Sequence, residues 1–317
     1  MSFAPLVFTT ILGPLVLVGA TACALAAALA QLGRRSLVWD VLTHATPFYL
    51  AGGLVALAAA LAFHDRYRIL CLVAGLAAVA AAGVLMAPEY LRAAGPPPPS
   101  GPVATLKVMQ FNIWGGQGGL DRPVAWIRAQ NPDLVIVQET NRAVREGLIR
   151  GTGMHLTAIR SNVVILSREA PVRPVSITTE NDGPMMLVGA VFSHAGREFT
   201  VLGVHYPWPT EFDRLAESAP LIKAVRSYRS DTTILSGDFN STPWSFTRRR
   251  EDAAFGLIRR TRAVFSWPAS RRMPVPVLPI DHVYAGAGWA TVNVERGPNL
   301  GSDHYPLVVT LAPVPSP

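Results

Sequence analysis

The sequence predicts an α/β sandwich preceded by three transmembrane α-helices. Three observations point there. The N-terminal third holds three long apolar runs almost free of charge. A proline-rich spacer follows them. Beyond it, short β-type runs alternate with amphipathic helical stretches to the end of the chain.

The first run covers residues 5–32 and stops at Arg34-Arg35. It is longer than the h-region of a signal peptide and has no basic segment before it. The second and third runs cover about 41–63 and 69–87. Each approaches or exceeds the roughly 20 residues that cross a bilayer core as helix. Ala51-Gly52-Gly53 and Ala77-Ala78 supply the small side chains that let helices pack closely in lipid. Asp40 and His44, at the start of the second run, are expected at the membrane interface, and Cys23 and Cys71 are expected to be packing residues.

Residues 95–103, with Pro96-Pro97-Pro98-Pro99, form a stiff extended linker between an anchor at 1–94 and a single domain at 104–317. Within that domain, β-type runs fall at Leu106–Phe111, Leu134–Gln138, Asn162–Leu166, Met186–Phe192, Phe199–His205, Thr232–Ser236, Asp281–Tyr284 and Tyr305–Leu311. Helical stretches fall at Arg122–Gln130, Arg142–Ile149 and Phe212–Tyr228. Sheets inside and helices outside follow from that order.

Of 317 residues, 50% are hydrophobic and only 15% charged, and the net charge is +7. The anchor holds five arginines, and because loops alternate across a bilayer, Arg34, Arg35 and Arg92 share the domain's side while Arg66 and Arg68 lie opposite. One arginine of difference does not fix the orientation.

Polar residues recur where the β-type runs end. Asn112 follows the first, Glu139 the second, and His205 closes the fifth. Asp238 and Asn240 follow the sixth, Asp281 opens the seventh, and Asp303-His304 precede the last. Any one of them alone reads as a turn residue or a structural histidine. As a set they suit one chemistry. Carboxylate and amide oxygens are what a hard divalent cation takes alongside phosphate oxygens. Amides also bind phosphate without adding negative charge. Histidines beside acids move protons near neutral pH. Together they describe metal-assisted hydrolysis of a phosphate ester.

The segments Gln110-Phe111-Asn112-Ile113, Gln138-Glu139-Thr140, Gly203-Val204-His205-Tyr206, Gly237-Asp238-Phe239-Asn240-Ser241, Ile280-Asp281-His282-Val283 and Gly301-Ser302-Asp303-His304-Tyr305-Pro306 resemble those of the endonuclease/exonuclease/phosphatase superfamily, over about 105–313. The resemblance implies a DNase I-like four-layer α/β/β/α sandwich and a Mg²⁺ or Mn²⁺ cofactor. It implies that Glu139 is the principal metal ligand, with Asn112 and Asp303 completing the site. Asp238 and Asn240 would contact the phosphate and position the attacking water. His304, oriented by Asp281, would be the acid/base histidine, with His205 as the second. A narrower likeness, to bacterial membrane proteins with three N-terminal helices, some associated with glycopeptide-antibiotic resistance, implies a multi-pass protein of the cytoplasmic (inner) membrane with its catalytic domain outside.

Substrate class stays open between three readings. A membrane-anchored phosphoesterase would act on a lipid-linked phosphate or phosphodiester, with the bilayer as its partner. A membrane-tethered nuclease would use the stretch Arg248-Arg249-Arg250, Arg259-Arg260, Arg262 and Arg271-Arg272, with Trp244, Phe265 and Trp267, to hold DNA or RNA. The same stretch also suits anionic headgroups or a plain solvated surface. A non-catalytic membrane module is the third reading, opposed by the intact polar set. The residues point to no protein partner.

Overall fold

The computed structural model describes residues 11–175, 186–211, 218–270, 272–273 and 275–314. The chain forms two compact units, Met1–Arg92 with Pro243–Arg249, and Ala93–Thr242 with Arg250–Pro317.

The first unit is built on helices α1 (Gly13–Ala30), α2 (Thr46–Ala60) and α3 (Arg66–Leu91). With flanking helical turns they give three segments long and apolar enough to cross a membrane, Gly13–Arg34, Leu37–Ala60 and Arg66–Leu91. At 1.5 Å per residue these reach about 33–39 Å, beyond a hydrocarbon core of about 30 Å. Residues 5–10 of the first apolar run lie outside the described residues. Glycines set the packing distance between α2 and α3. A Cβ on Gly53 would stand 2.9 Å from the Gly75 carbonyl oxygen, and one on Gly75 would stand 2.9 Å from that of Gly53. Cys23 and Cys71 are free thiols, and Cys71 packs with Ala60 and Phe63. Asp40 has a structural partner within this unit. It is buried, and its two carboxylate oxygens accept the backbone N–H groups of Phe246 and Thr247, each at 2.8 Å. Those N–H groups open a helix and have no partner inside it, so the carboxylate caps them.

The second unit holds two six-stranded mixed sheets. The first sheet has the order β11-β12-β1-β2-β4-β3 and the second β5-β6-β7-β8-β10-β9. The strands of the first are β1 (Leu106–Asn112), β2 (Leu134–Gln138), β3 (His155–Arg160), β4 (Val163–Ser167), β11 (Trp289–Arg296) and β12 (Leu307–Pro313). Those of the second are β5 (Arg173–Pro174), β6 (Met186–His194), β7 (Arg197–His205), β8 (Ile234–Asp238), β9 (Ile258–Arg259) and β10 (Asp281–Ala285). Only β1–β2 and β7–β8 pair in parallel. Alternation along each strand sorts side chains into layers. Val108, Ile136 and Ile165 of one sheet meet Val201, Ile234 and Val283 of the other in the central core. The opposite faces carry helices. Met109, Val135 and Val137 lie against Ile127 of α4 (Asp121–Gln130) and Leu148 of α5 (Arg142–Thr152). Leu202, Val204 and Leu235 lie against Val225 of α6 (Ser218–Arg226) and Phe255 of α7 (Phe246–Phe255). The layers run helix, sheet, sheet, helix.

β3, β11 and α7 are absent from the sequence-predicted elements, as are the two-residue strands β5 and β9. β3 and β11 are edge strands with many exposed positions, so they lack the apolar run that marks a strand. α7 begins within the arginine run. Its predecessor α6 is described from Ser218, and residues 212–217 of the predicted helix lie outside the described residues.

Ile136 is fully buried at the centre of the inter-sheet core. Ile136→Ala is expected to cost about 2–5 kcal/mol, read as an earlier midpoint in denaturant unfolding of the detergent-solubilised chain. An unchanged midpoint would mean that the two sheets do not share a packed core.

Candidate active site

The inter-sheet face changes character at one end. On β1 the inward positions run Leu106, Val108, Gln110, Asn112, and on β2 they run Leu134, Ile136, Gln138. On β7 they run Val201, Gly203, His205, and on β8 they run Ile234, Ser236, Asp238. β10 runs antiparallel to β8, so its inward Asp281 sits at its start, in register with Asp238. His205 is in register with Asp238 on the other side, and Asn112 with Gln138. A two-residue period thus carries apolar side chains into the core and then delivers polar ones to a common edge. Gly203 keeps that approach close, since a Cβ there would lie 2.9 Å from Ile136 Cγ2.

The polar groups join into one network. Asn112 Nδ2 donates to Glu139 Oε1 at 2.9 Å and to Asp238 Oδ2 at 3.0 Å, linking the two sheets. His205 Nε2 lies 3.9 Å from Glu139 Oε1 and 3.8 Å from Asp238 Oδ2. His304 Nδ1 lies 2.8 Å from Asp281 Oδ2. An ionised carboxylate only accepts, so Nδ1 carries the proton, and Nε2 faces Asp238 Oδ2 at 3.6 Å. Asn240 donates its backbone N–H to Asp238 Oδ1 at 2.8 Å and its amide N–H to the Tyr206 carbonyl at 2.9 Å. Glu139 and Asn240 both adopt left-handed backbone, with φ of 56° and 47°. Non-glycine residues hold that conformation only where their surroundings impose it.

Asp303 stands at the flank. Trp267 Nε1 donates to its Oδ2 at 3.3 Å, and its carbonyl accepts the Ala269 N–H. Ser302 Oγ donates to the Asn112 carbonyl at 2.7 Å and accepts the His304 N–H at 3.1 Å, tying the loop before β12 to the end of β1. All eight residues picked from the sequence therefore lie in or beside one network.

Gln110, Gln138 and Ser302 belong to this site without having been assigned a role from the sequence, and Trp267, considered there only for nucleic acid, contacts Asp303. Gln110 Nε2 donates to Asp281 Oδ1 and to Gln138 Oε1, both at 2.8 Å, and both glutamines are fully buried. Two positions before Asn112 on the same strand face, Gln110 had to share its layer, which is the signal that would have found it. Two exposed tryptophans also stand close in sequence to site residues, Trp114 and Trp208, and Trp208 meets Trp267 edge to face at 5.8 Å.

The arginine run is divided between buried and exposed positions. Arg248, Arg259 and Arg260 are buried. Arg259 pairs with Asp252 at 2.8 Å, and Arg260 Nη2 donates to the carbonyls of Ala285, Gly286 and Trp289. Arg250 and Arg272 are exposed, while Arg271 lies outside the described residues.

A sequence model of the Endonuclease/Exonuclease/phosphatase family matches residues 109–304, most of the second unit. The chain belongs to that family. No curated protein matches it. Among solved structures, the family member from Bacteroides vulgatus is similar over 67% of this chain and all of its own, with 16% identity and a TM-score of 0.57. The mannosyl-6-phosphatase Bt3783 of Bacteroides thetaiotaomicron is similar over 65% of this chain and 99% of its own, with 16% identity and a TM-score of 0.54. D. rerio TDP2 complexed with a single-strand DNA product is similar over 66% and 99%, with 16% identity and a TM-score of 0.51. At such identities the likeness shows the fold. Members of the family are phosphoesterases and nucleases, so the chain is a phosphate-ester hydrolase.

Family enzymes generally depend on a divalent metal, and the site fits one. Ligand atoms of Asp238, Asp281 and His304 lie within 4.8 Å of one another. Glu139 adds a partly exposed carboxylate, and Asn240 Oδ1 is buried without a partner among the described residues. Without a cation, this concentration of acid perturbs both central groups. Burial pushes the Asp238 carboxyl up to about 6, with Asp281 adding to the rise while His304 and His205 oppose it. Burial pulls His304 down, but the charges of Asp281 and Asp238 and the Asp281 hydrogen bond outweigh it and lift the imidazole to about 10.

Two outcomes are expected. Gln110→Leu removes the donor that fixes Asp281 Oδ1 and should lower kcat about 10–100-fold, the scale found for partners that orient a site's ligands, with KM little changed. Because Gln110 acts through Asp281, the same change in an Asp281→Asn background should add almost nothing, and additive losses would refute the link. Both raised pKa values also make folding depend on pH. Each contribution is complete below the group's ordinary value, 3.8 for Asp238 and 6.5 for His304, and is lost as pH rises through about 6 and about 10. Protein kept metal-free with EDTA should therefore lose thermal stability from about pH 6.5 to 10, and His304→Asn should flatten that decline.

Proposed function

We propose that the protein is a membrane-anchored phosphoesterase that hydrolyses a lipid-linked phosphate or phosphodiester with the help of Mg²⁺ or Mn²⁺. The observation that carries it is the arrangement of His304, braced by Asp281 at 2.8 Å and facing Asp238, opposite the Asn112–Glu139 pair. Glu139, with Asn112 and Asp303, would hold the metal, which supplies charge neutralisation and polarisation of the phosphoryl group. The chain's own groups do the rest. Asn240 and Asp238 position phosphate and water. The His304 imidazolium donates a hydrogen bond to a phosphate oxygen, and His205 faces the same carboxylates as a second proton carrier.

Three helices long and apolar enough to span a bilayer favour a substrate that resides in the membrane. Burial of Arg248, Arg259 and Arg260 removes three cations from those a nuclease could use to follow a phosphate backbone, while Arg250 and Arg272 stay exposed. The likeness to TDP2 with its DNA product keeps nuclease activity as the second reading. By resemblance to the three-helix bacterial proteins, the enzyme belongs to the cytoplasmic membrane with its catalytic unit outside.

The full chain in detergent, given Mg²⁺ and offered polyprenyl diphosphate, phospholipids and plasmid DNA, should release phosphate or headgroup from a lipid. EDTA should abolish this, and Glu139→Gln should lower it by about 100-fold or more. Cleavage of DNA alone would replace the lipid reading with the nuclease one.

A further inference from the structure

The first unit contains a groove that the hydrolytic site leaves unexplained. It has a volume of about 560 Å³ and is lined by Ala28, Gln31, Leu32, Arg34 and Arg35 at the C-terminal end of the first apolar segment, and by Ala81 and Val84 of α3. Its lining divides into two kinds of surface. Ala28, Leu32, Ala81 and Val84 make an apolar wall of small and aliphatic side chains. Gln31, Arg34 and Arg35 stand together where the apolar segment ends, so cationic and amide donors crown an apolar slot.

The donors are arranged for an anion. Arg34 and Arg35 are both exposed. Arg34 reaches back to Gln31 Oε1 at 3.5 Å and lies 5.3 Å over the Phe246 ring, which orients it beside the groove. The Gln31 amide then has its oxygen turned toward a guanidinium and its nitrogen left over. Gln31 Nε2 is shielded from solvent and has no hydrogen-bond partner among the described residues. A buried donor without an acceptor is costly unless something outside the chain supplies one. No carboxylate lines the groove. An acceptor bearing negative charge, attached to an apolar chain, matches the orphan amide, the exposed Arg35 beside it and the wall at once.

We propose that this groove binds the phosphate headgroup of an anionic phospholipid, with an acyl chain lying along Ala28, Leu32, Ala81 and Val84. It rests on the membrane association of the helices and not on the hydrolytic activity. Position favours a lipid over a soluble anion. The arginines close a helix long enough to span the hydrocarbon core, the depth at which headgroup phosphates lie. The exposed Leu29 and Val84 continue the apolar surface away from the arginines. Basic pockets between membrane helices hold anionic headgroups by the same chemistry.

Native mass spectrometry tests it on the full chain released from nanodiscs of equal parts phosphatidylglycerol and phosphatidylcholine. Wild-type protein should retain phosphatidylglycerol in preference to phosphatidylcholine. Arg35→Gln should lower that retention about fivefold, the worth of one arginine at an anionic surface, while Arg35→Lys keeps most of it. Gln31→Leu leaves every charge in place and should also weaken retention, isolating the orphan amide. Arg35 and Gln31 lie outside the catalytic network, so hydrolysis of a soluble phosphodiester should be unaltered in each variant and report an intact fold. Equal retention of the two lipids, or unchanged retention in Arg35→Gln, would overturn the proposal. Displacement of the lipid by inorganic phosphate would assign the site to a free anion and overturn it as well. Loss of hydrolytic activity throughout, with lipid retention as described, would count against the proposed function and leave the groove standing.

Discussion

The pairing of two sheets face to face is the constraint on which the rest of the second unit depends. A side chain on the inner face has no solvent to turn to, so each polar group placed there must find another. Val108 and Ile136 meet this by packing, and Gln110 and Asn112, further along the same strand face, meet it by hydrogen bonds to Asp281 and Asp238 of the opposite sheet. The candidate catalytic groups are thus held by a structure that would otherwise leave charge buried and unpaired, at a cost of several kcal/mol per ion.

That arrangement trades stability for readiness. Asp238, Asp281 and His304 are all buried, and the first two repel each other. Glu139 and Asn240 hold left-handed backbone that costs about 1–3 kcal/mol each. Such features persist where the surrounding fold over-determines them, and here the inter-sheet and helix-facing cores do so. A cation held at Glu139, which Asn112 joins to Asp238, would offset the negative charge of this cluster and so link metal binding to folding.

Much of the site was legible because its residues fall at strand ends, where runs such as Val135-Ile136-Val137 stop at a polar side chain. The three apolar helices were legible from the length of their runs. What escaped has a common cause. Edge strands β3 and β11 expose much of their surface and carry no apolar run. Gln110 looked like an ordinary strand residue, because its partner Asp281 lies 171 positions away. The capping role of Asp40 escaped, because the N–H groups it caps lie more than 200 positions away. Within the arginine run, composition does not reveal that Arg260 is spent on the carbonyls of Ala285, Gly286 and Trp289. Local pattern picked out residues that the structure brings together, while long-range pairing decides which of them are available to a ligand.

The central claim is that strand ends from both sheets assemble a single metal-dependent hydrolytic site around Glu139 and His304. Anomalous X-ray scattering from crystals soaked in Mn²⁺ tests it most directly. One peak per chain is expected within coordination distance, about 2.0–2.6 Å, of a Glu139 carboxylate oxygen, and it should disappear in Glu139→Gln. A strong peak elsewhere in the chain, or one that survives loss of the Glu139 charge, would contradict that claim.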